Sequence, residues 1–136
     1  MDSRNDSNAA AFGERFLSPA DRVSATHDLA ARGADAVAIL QALVDGRAVN
    51  QRGICYSRLG IDDCVLVTIK KLGPVADSLA SYVRSKLAEG HPYAASALGA
   101  LSPSEENIEA LNAALYCGRA DLEFYAAAAL RNWGAM

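Results

Sequence analysis

Aromatic residues are scarce in this chain of 136 residues, only 7% of it with a single tryptophan, although 51% of its residues are hydrophobic. A β-sandwich core needs Val, Ile, Thr and aromatics in alternation, whereas an alanine-rich apolar content suits closely packed helices. Long hydrophobic runs are also missing, and none approaches the ~20 residues that span a bilayer. The first eight residues are polar and contain no apolar stretch of the signal-peptide kind, so a cytoplasmic protein is expected. Basic residues are outnumbered, with Lys and Arg totalling 13 against 16 Asp and Glu, and the pI is about 5.3. No basic footprint for nucleic acid is present. The three cysteines, Cys55, Cys64 and Cys117, are an odd number without CxxC spacing, which argues against a disulfide framework or a zinc knuckle. Only two histidines, His27 and His91, are available, so no metal site, cofactor or catalytic constellation is expected.

What the chain does contain is a duplication. Tyr93-Ala-Ala-Ser-Ala-Leu98 and Tyr125-Ala-Ala-Ala-Ala-Leu130 begin 32 positions apart and differ at one position. Self-similarity with a period in the thirties marks stacked helical hairpins. Each copy can be anchored on the residue that ends its first helix: Gly33, Gly73, Ser102 and Gly134. Leu29, Ile69, Leu98 and Leu130 stand four positions before these anchors, and Ala25, Val65, Ala94 and Ala126 stand eight before. That spacing puts both sets on one helical face, as a buried stripe requires.

Helices are therefore expected at about 19–32, 34–45, 62–72, 74–89, 92–101, 103–117 and 120–133. Pro74 and Pro103 suit a first helical turn, Ser102-Pro-Ser-Glu105 reads as a capping box, and Gly46, Gly90 and Gly118 close the second helix of each hairpin. Residues 1–17 read as mostly disordered, with Phe12, Phe16 and Leu17 able to dock as one helical turn.

The signature Tyr93-Ala-Ala-Ser-Ala-Leu-Gly-Ala-Leu101, followed by a polar turn and an apolar-periodic second helix, resembles the HEAT-like repeat of the phycobilisome-lyase type. The resemblance covers roughly residues 19 to 134. It implies an all-α fold: a short right-handed α-solenoid of about three and a half helical hairpins over residues 18–136. Such arrays work by presenting a surface, which points to a protein-binding module.

Two candidate surfaces follow. The anchor intervals are 40, 29 and 32 residues, so the first is about ten too long. The surplus lies within 47–60, a stretch with three arginines and no acid, and insertions in repeat arrays map to loops that often bind. Arg47, Asn50, Gln51, Arg52, Tyr56 and Arg58 are its candidate contacts, because Arg and Tyr are enriched at interface hot spots. The alternative role for this loop is packing, with Ile54, Tyr56 and Leu59 filling a gap.

The second surface is the polar face of the second helices, which line the concave side of a solenoid. It carries Asp35, Gln41 and Asp45, then Asp77, Ser81 and Arg84, then Glu105, Glu109, Asn112 and Tyr116. Its acidic bias suits one protein partner with a basic surface, and no membrane or nucleic acid. The most concrete form of that expectation is a bacterial immunity or inhibitor protein that neutralises a cognate toxin or enzyme. Two other classes compete with it. A cofactor-handling or lyase-like protein would need a deep apolar pocket near Cys55 or Cys117. A structural or oligomerisation unit, monomer or weak dimer, would use the last helix, which no second helix covers: its Phe124, Tyr125, Leu130 and Trp133 either turn inward against the preceding hairpin or form a partner or dimer surface.

Overall fold

The computed structural model describes residues 3–136, and the fold is all-α. In chain order the helices are α1 (Ser3–Leu17), α2 (Arg22–Ala30), α3 (Ala34–Val44), α4 (Asp62–Leu72), α5 (Ala80–Ala88), α6 (Ala94–Gly99), α7 (Glu105–Ala114) and α8 (Ala120–Asn132). Two 3-10 segments, Tyr56–Arg58 and Gly73–Leu79, lie between them. Among the described residues the only β-type pairing is one isolated antiparallel bridge between Val49 and Cys55. No described helix is long and apolar enough to cross a membrane.

The stripe read from the sequence is buried throughout. Ala25, Leu29, Val65, Ile69, Ala94, Leu98, Ala126 and Leu130 all have 0% exposure. Six glycines expected at helix ends (Gly33, Gly46, Gly73, Gly90, Gly118 and Gly134) have φ between 59° and 86°, a region in which a Cβ is strained.

The chain divides into two compact units, Met1–Thr68 and Ile69–Met136. In the first, α1 packs on both α2 and α3, and α3 also meets the Tyr56–Arg58 turn. Residues 3–17 thus form a helix where the composition suggested disorder; Met1 and Asp2 lie outside the described residues. The physical reason is tertiary. Ala9, Phe12, Gly13 and Phe16 recur at helical spacing and are buried, and each buried phenylalanine contributes ~1.5–3 kcal/mol. Arg32 and Arg15 lie over the Phe12 ring at 5.0 and 5.4 Å, and Arg15 also pairs with Asp28 at 2.7 Å. The buried Cys64 donates its S–H to the Phe16 carbonyl at 3.8 Å.

In the second unit α6 packs on α8 and α5 on α7, with α5–α6 and α7–α8 contacts joining the two layers. Small residues set the spacing of the α6–α8 layer. A Cβ on Gly99 would lie 2.6 Å from the Ala129 Cβ, so the two helices meet where one has no side chain at all.

Two boundaries differ from the sequence reading. The stretch expected as one helix over 74–89 is a 3-10 segment followed by α5, with a kink at Ala76 (φ −94°, ψ 18°) inside the 3-10 segment. The cap of α7 is Ser104, whose hydroxyl accepts the Asn107 amide at 3.1 Å, and not Ser102. Ser102 is occupied elsewhere: its amide donates to Asp77 and its carbonyl accepts from Asn107.

Candidate partner-binding surfaces

The sequence-predicted contacts separate into two groups, one in each unit. In the first unit, residues 49–55 form a tight hairpin. The Asn50 amide donates to the Ile54 carbonyl at 2.9 Å, and the Gly53 amide donates to the Asn50 carbonyl at 3.0 Å. Inside the turn, Asn50 Oδ1 accepts the amides of Arg52 at 2.8 Å and Ile54 at 3.0 Å. An asparagine that holds the backbone two and four residues on is a common device for fixing such a turn. Gln51 and Arg52 are exposed at its tip, and Arg58 is exposed on the following 3-10 turn. Arg47 is tied down, with Asp6 at 3.6 Å and Asp45 at 3.8 Å.

Tyr56 does not belong to this surface. It is 2% exposed, and its ring lies against the backbone of α1 at Gly13. Its hydroxyl donates to Glu14 Oε2. Burial first, then the Glu14 hydrogen bond and charge, push its hydroxyl up to about 12. Of the two roles the sequence allowed for this tyrosine, the structure assigns packing. A cavity of about 470 Å³ lies beside it, lined by Ala10, Ala11 and Glu14 of α1 and by Val49 to Arg52 of the loop.

The second group lies on α5, α7 and their flanks. Asp77, although exposed, and the partly buried Arg84 are both tied to the frame. Asp77 Oδ1 accepts the Ser102 amide at 2.9 Å. Arg84 Nη1 donates to Asn107 Oδ1 at 2.6 Å, and its Nη2 pairs with Glu106 at 3.1 Å. Asn107 is itself buried and donates to the Ser102 carbonyl at 3.0 Å, so one side chain ties α5, the loop and α7 together. Ser81, Glu105, Glu109 and Asn112 are exposed, and Tyr116 is 85% exposed. On α3, Asp35 is exposed, while Gln41 donates to Asp45 at 2.7 Å.

Between α5, α7 and the start of α8 lies a groove of about 390 Å³. Leu87, Ala110, Ala113, Ala114 and Leu122 supply its apolar lining, and Arg84, Glu89, Cys117 and Arg119 its polar part. Arg119 was not singled out in the sequence. Its guanidinium donates to the Gly90 carbonyl and pairs with Asp121 at 3.1 Å, closing one end of the groove. The only local hint is the Cys117-Gly-Arg119 turn; the carbonyl it reaches is 29 residues away.

Charge balance across this face is uneven. Arg84 is matched by Glu106, Lys86 by Glu89 at 3.7 Å, and Arg119 by Asp121. Glu105 and Glu109 have no cationic partner among the described residues.

The remaining chemistry-bearing residues are accounted for locally. His91 Nδ1 accepts the Tyr93 amide at 3.1 Å, and His27 is exposed on α2. Burial pushes the Cys64 thiol up, which suppresses the thiolate needed for reactivity. No group of three or more His, Cys, Asp or Glu among the described residues could hold a metal ion. Compared with known proteins, the chain matches no family model, no curated protein and no solved structure.

Proposed function

We propose that this chain is a protein-binding module that grips one partner through the α5–α7 face, and that its helices are the hairpins of a short right-handed HEAT-like solenoid. The observation that carries the binding reading is the groove between α5 and α7. Its apolar lining offers contact area, Tyr116 stands 85% exposed on the same helical layer, and Glu105 and Glu109 leave an unmatched acidic excess. Exposed aromatic anchors beside a pocket dominate binding energy, and the acidic excess steers a basic surface into place. The partner is thus a protein with a basic segment or patch, and an inhibitor that occludes an enzyme's or toxin's basic active-site rim is the most concrete form. Support for the solenoid comes from the eight fully buried stripe residues and from the two layers, α6 with α8 and α5 with α7.

Affinity purification of the tagged chain from its native source tests this. One protein in stoichiometric amount is expected. Glu105→Lys/Glu109→Lys and Tyr116→Ala should each release it, the former with a loss of salt sensitivity. Recovery of no stoichiometric partner, or a partner that both variants retain, would overturn the proposal. Arg52→Glu serves as the contrasting arm: if it alone releases the partner, the 47–60 loop is the binding surface.

A second reading draws on Cys117, an exposed thiol on the groove. In a cofactor-handling protein of the lyase type it would be the attachment or transfer group. Cys117→Ala should then abolish function while leaving partner capture intact; retained function removes this reading.

A further inference from the structure

The cavity of about 470 Å³ between α1 and the 49–55 hairpin lies wholly within the first unit. Its size is that of a small-molecule site. On the α1 side, two consecutive alanines, Ala10 and Ala11, put only a methyl each into the wall and so leave the space open. On the hairpin side, Val49 is 43% exposed and adds an apolar patch.

One acid and one base line this cavity, and they do not pair with each other. Glu14 stands one helical turn after Ala10. Its Oε2 accepts from the buried Tyr56 hydroxyl, the one hydrogen bond its side chain makes among the described residues. A carboxylate has about four acceptor sites, so most of its capacity is left over on a group already held from one side. Arg52 enters from the hairpin, where Asn50 Oδ1 fixes its backbone amide. Its guanidinium has no carboxylate partner among the described residues, whereas Arg15 pairs with Asp28 and Arg47 with Asp6 and Asp45. An acid and a base that share a cavity without neutralising each other match a ligand that carries both charges.

We propose that this cavity binds a small zwitterion with a short apolar body, of the amino-acid or dipeptide class. The ligand's ammonium meets Glu14, its carboxylate meets the Arg52 guanidinium, and its apolar body lies on Ala10, Ala11 and Val49. Each charge that enters is offset by one already in place. A ligand with a single charge leaves one protein charge desolvated without a partner, and that penalty sets the selectivity. The site shares no residue with the α5–α7 groove and does not depend on it.

Amide NMR titration of the purified full chain with L-leucine and with L-alanyl-L-leucine tests this. Saturable shifts centred on residues 10–14 and 49–56 are expected from at least one probe, with Kd on the order of 1 mM. The tighter of the two tells the amino acid from the dipeptide. N-acetylating or amidating that probe removes one charge and should weaken binding about tenfold or more. Glu14→Gln, which keeps an acceptor for Tyr56, and Arg52→Gln, at the exposed tip, should each weaken it about as much in a folded chain. Ala11→Leu builds into the cavity from an exposed helical position and should abolish binding. No saturable shift from either probe at about 20 mM overturns the proposal. So do blocked probes that bind as well as the free one, or full affinity retained by Glu14→Gln, Arg52→Gln or Ala11→Leu.

Discussion

A Cβ placed on Gly13 would lie 2.7 Å from the ring of Tyr56, so the tyrosine rests directly on the backbone of α1. Glycine inside a helix costs ~1 kcal/mol relative to alanine. That cost is offset by the ring it admits and by the Glu14 carboxylate that takes the hydroxyl. Gly13→Ala should therefore destabilise the protein by ~1–3 kcal/mol despite its better helix propensity, because overpacking wins. Tyr56→Ala should cost ~3–5 kcal/mol by leaving a cavity. Urea denaturation of both variants checks the pair.

The same tyrosine gives an alkaline signature. Its hydroxyl is held at about 12 in the fold against an ordinary 10.0. The folded chain then keeps the proton that the unfolded chain releases, so this contribution is full below pH 10 and lost as the pH climbs through about 12. Thermal melts across that window should fall more steeply for the wild type than for Tyr56→Phe. Parallel curves would show that the hydroxyl makes no such contribution.

Asn107 holds the second unit by satisfying three groups at once. It is 3% exposed, accepts from Arg84, donates to the Ser102 carbonyl and gives its amide to the Ser104 cap. Asn107→Ala should cost ~1–3 kcal/mol, since the part-buried Ser102 carbonyl loses its donor and the Arg84 guanidinium keeps only Glu106. Chemical denaturation measures the loss, and a change below ~0.5 kcal/mol would mean that water replaces the amide.

At the α6–α8 contact a steric term opposes a propensity term. Gly99→Ala gains up to ~1 kcal/mol in helix propensity but drives a methyl into Ala129, a clash costing ~1–3 kcal/mol. Net destabilisation is expected. Combined with Ala129→Gly, the substitution should be milder than on its own, giving a coupling of ~0.5 kcal/mol or more in a double-mutant cycle. Additive effects would show that the helices separate freely.

Local, periodic signals were legible in the sequence. Small and aliphatic residues at helical spacing marked eight residues that are fully buried, and glycine stops marked six turns. What could not be read depends on distant partners. The start of α1 is rich in Asp, Ser and Asn, poor helix formers, and its order comes from Phe12, Phe16 and Tyr56. Tyr56 among arginines has the composition of a hot spot, but Glu14, 42 positions earlier, takes it inward. Val75 stands four, eight and twelve positions before Leu79, Val83 and Leu87, the spacing of one helical face, yet it is 52% exposed while Ala76 is buried. The 3-10 segment after Gly73 turns faster, which rotates that stripe before α5 begins. The acidic excess of the second surface was visible in the sequence, but Asp77 and Arg84 turned out to brace the frame behind it.

The hairpin at 49–55 has a further consequence. Asn50 and the backbone hold its shape; of the two tip residues only Arg52 takes part in that frame, through its amide. Their side chains can be exchanged while the scaffold beneath stays unchanged. This makes the tip a cassette: two adjacent positions where new recognition could be selected from a library without renegotiating the fold.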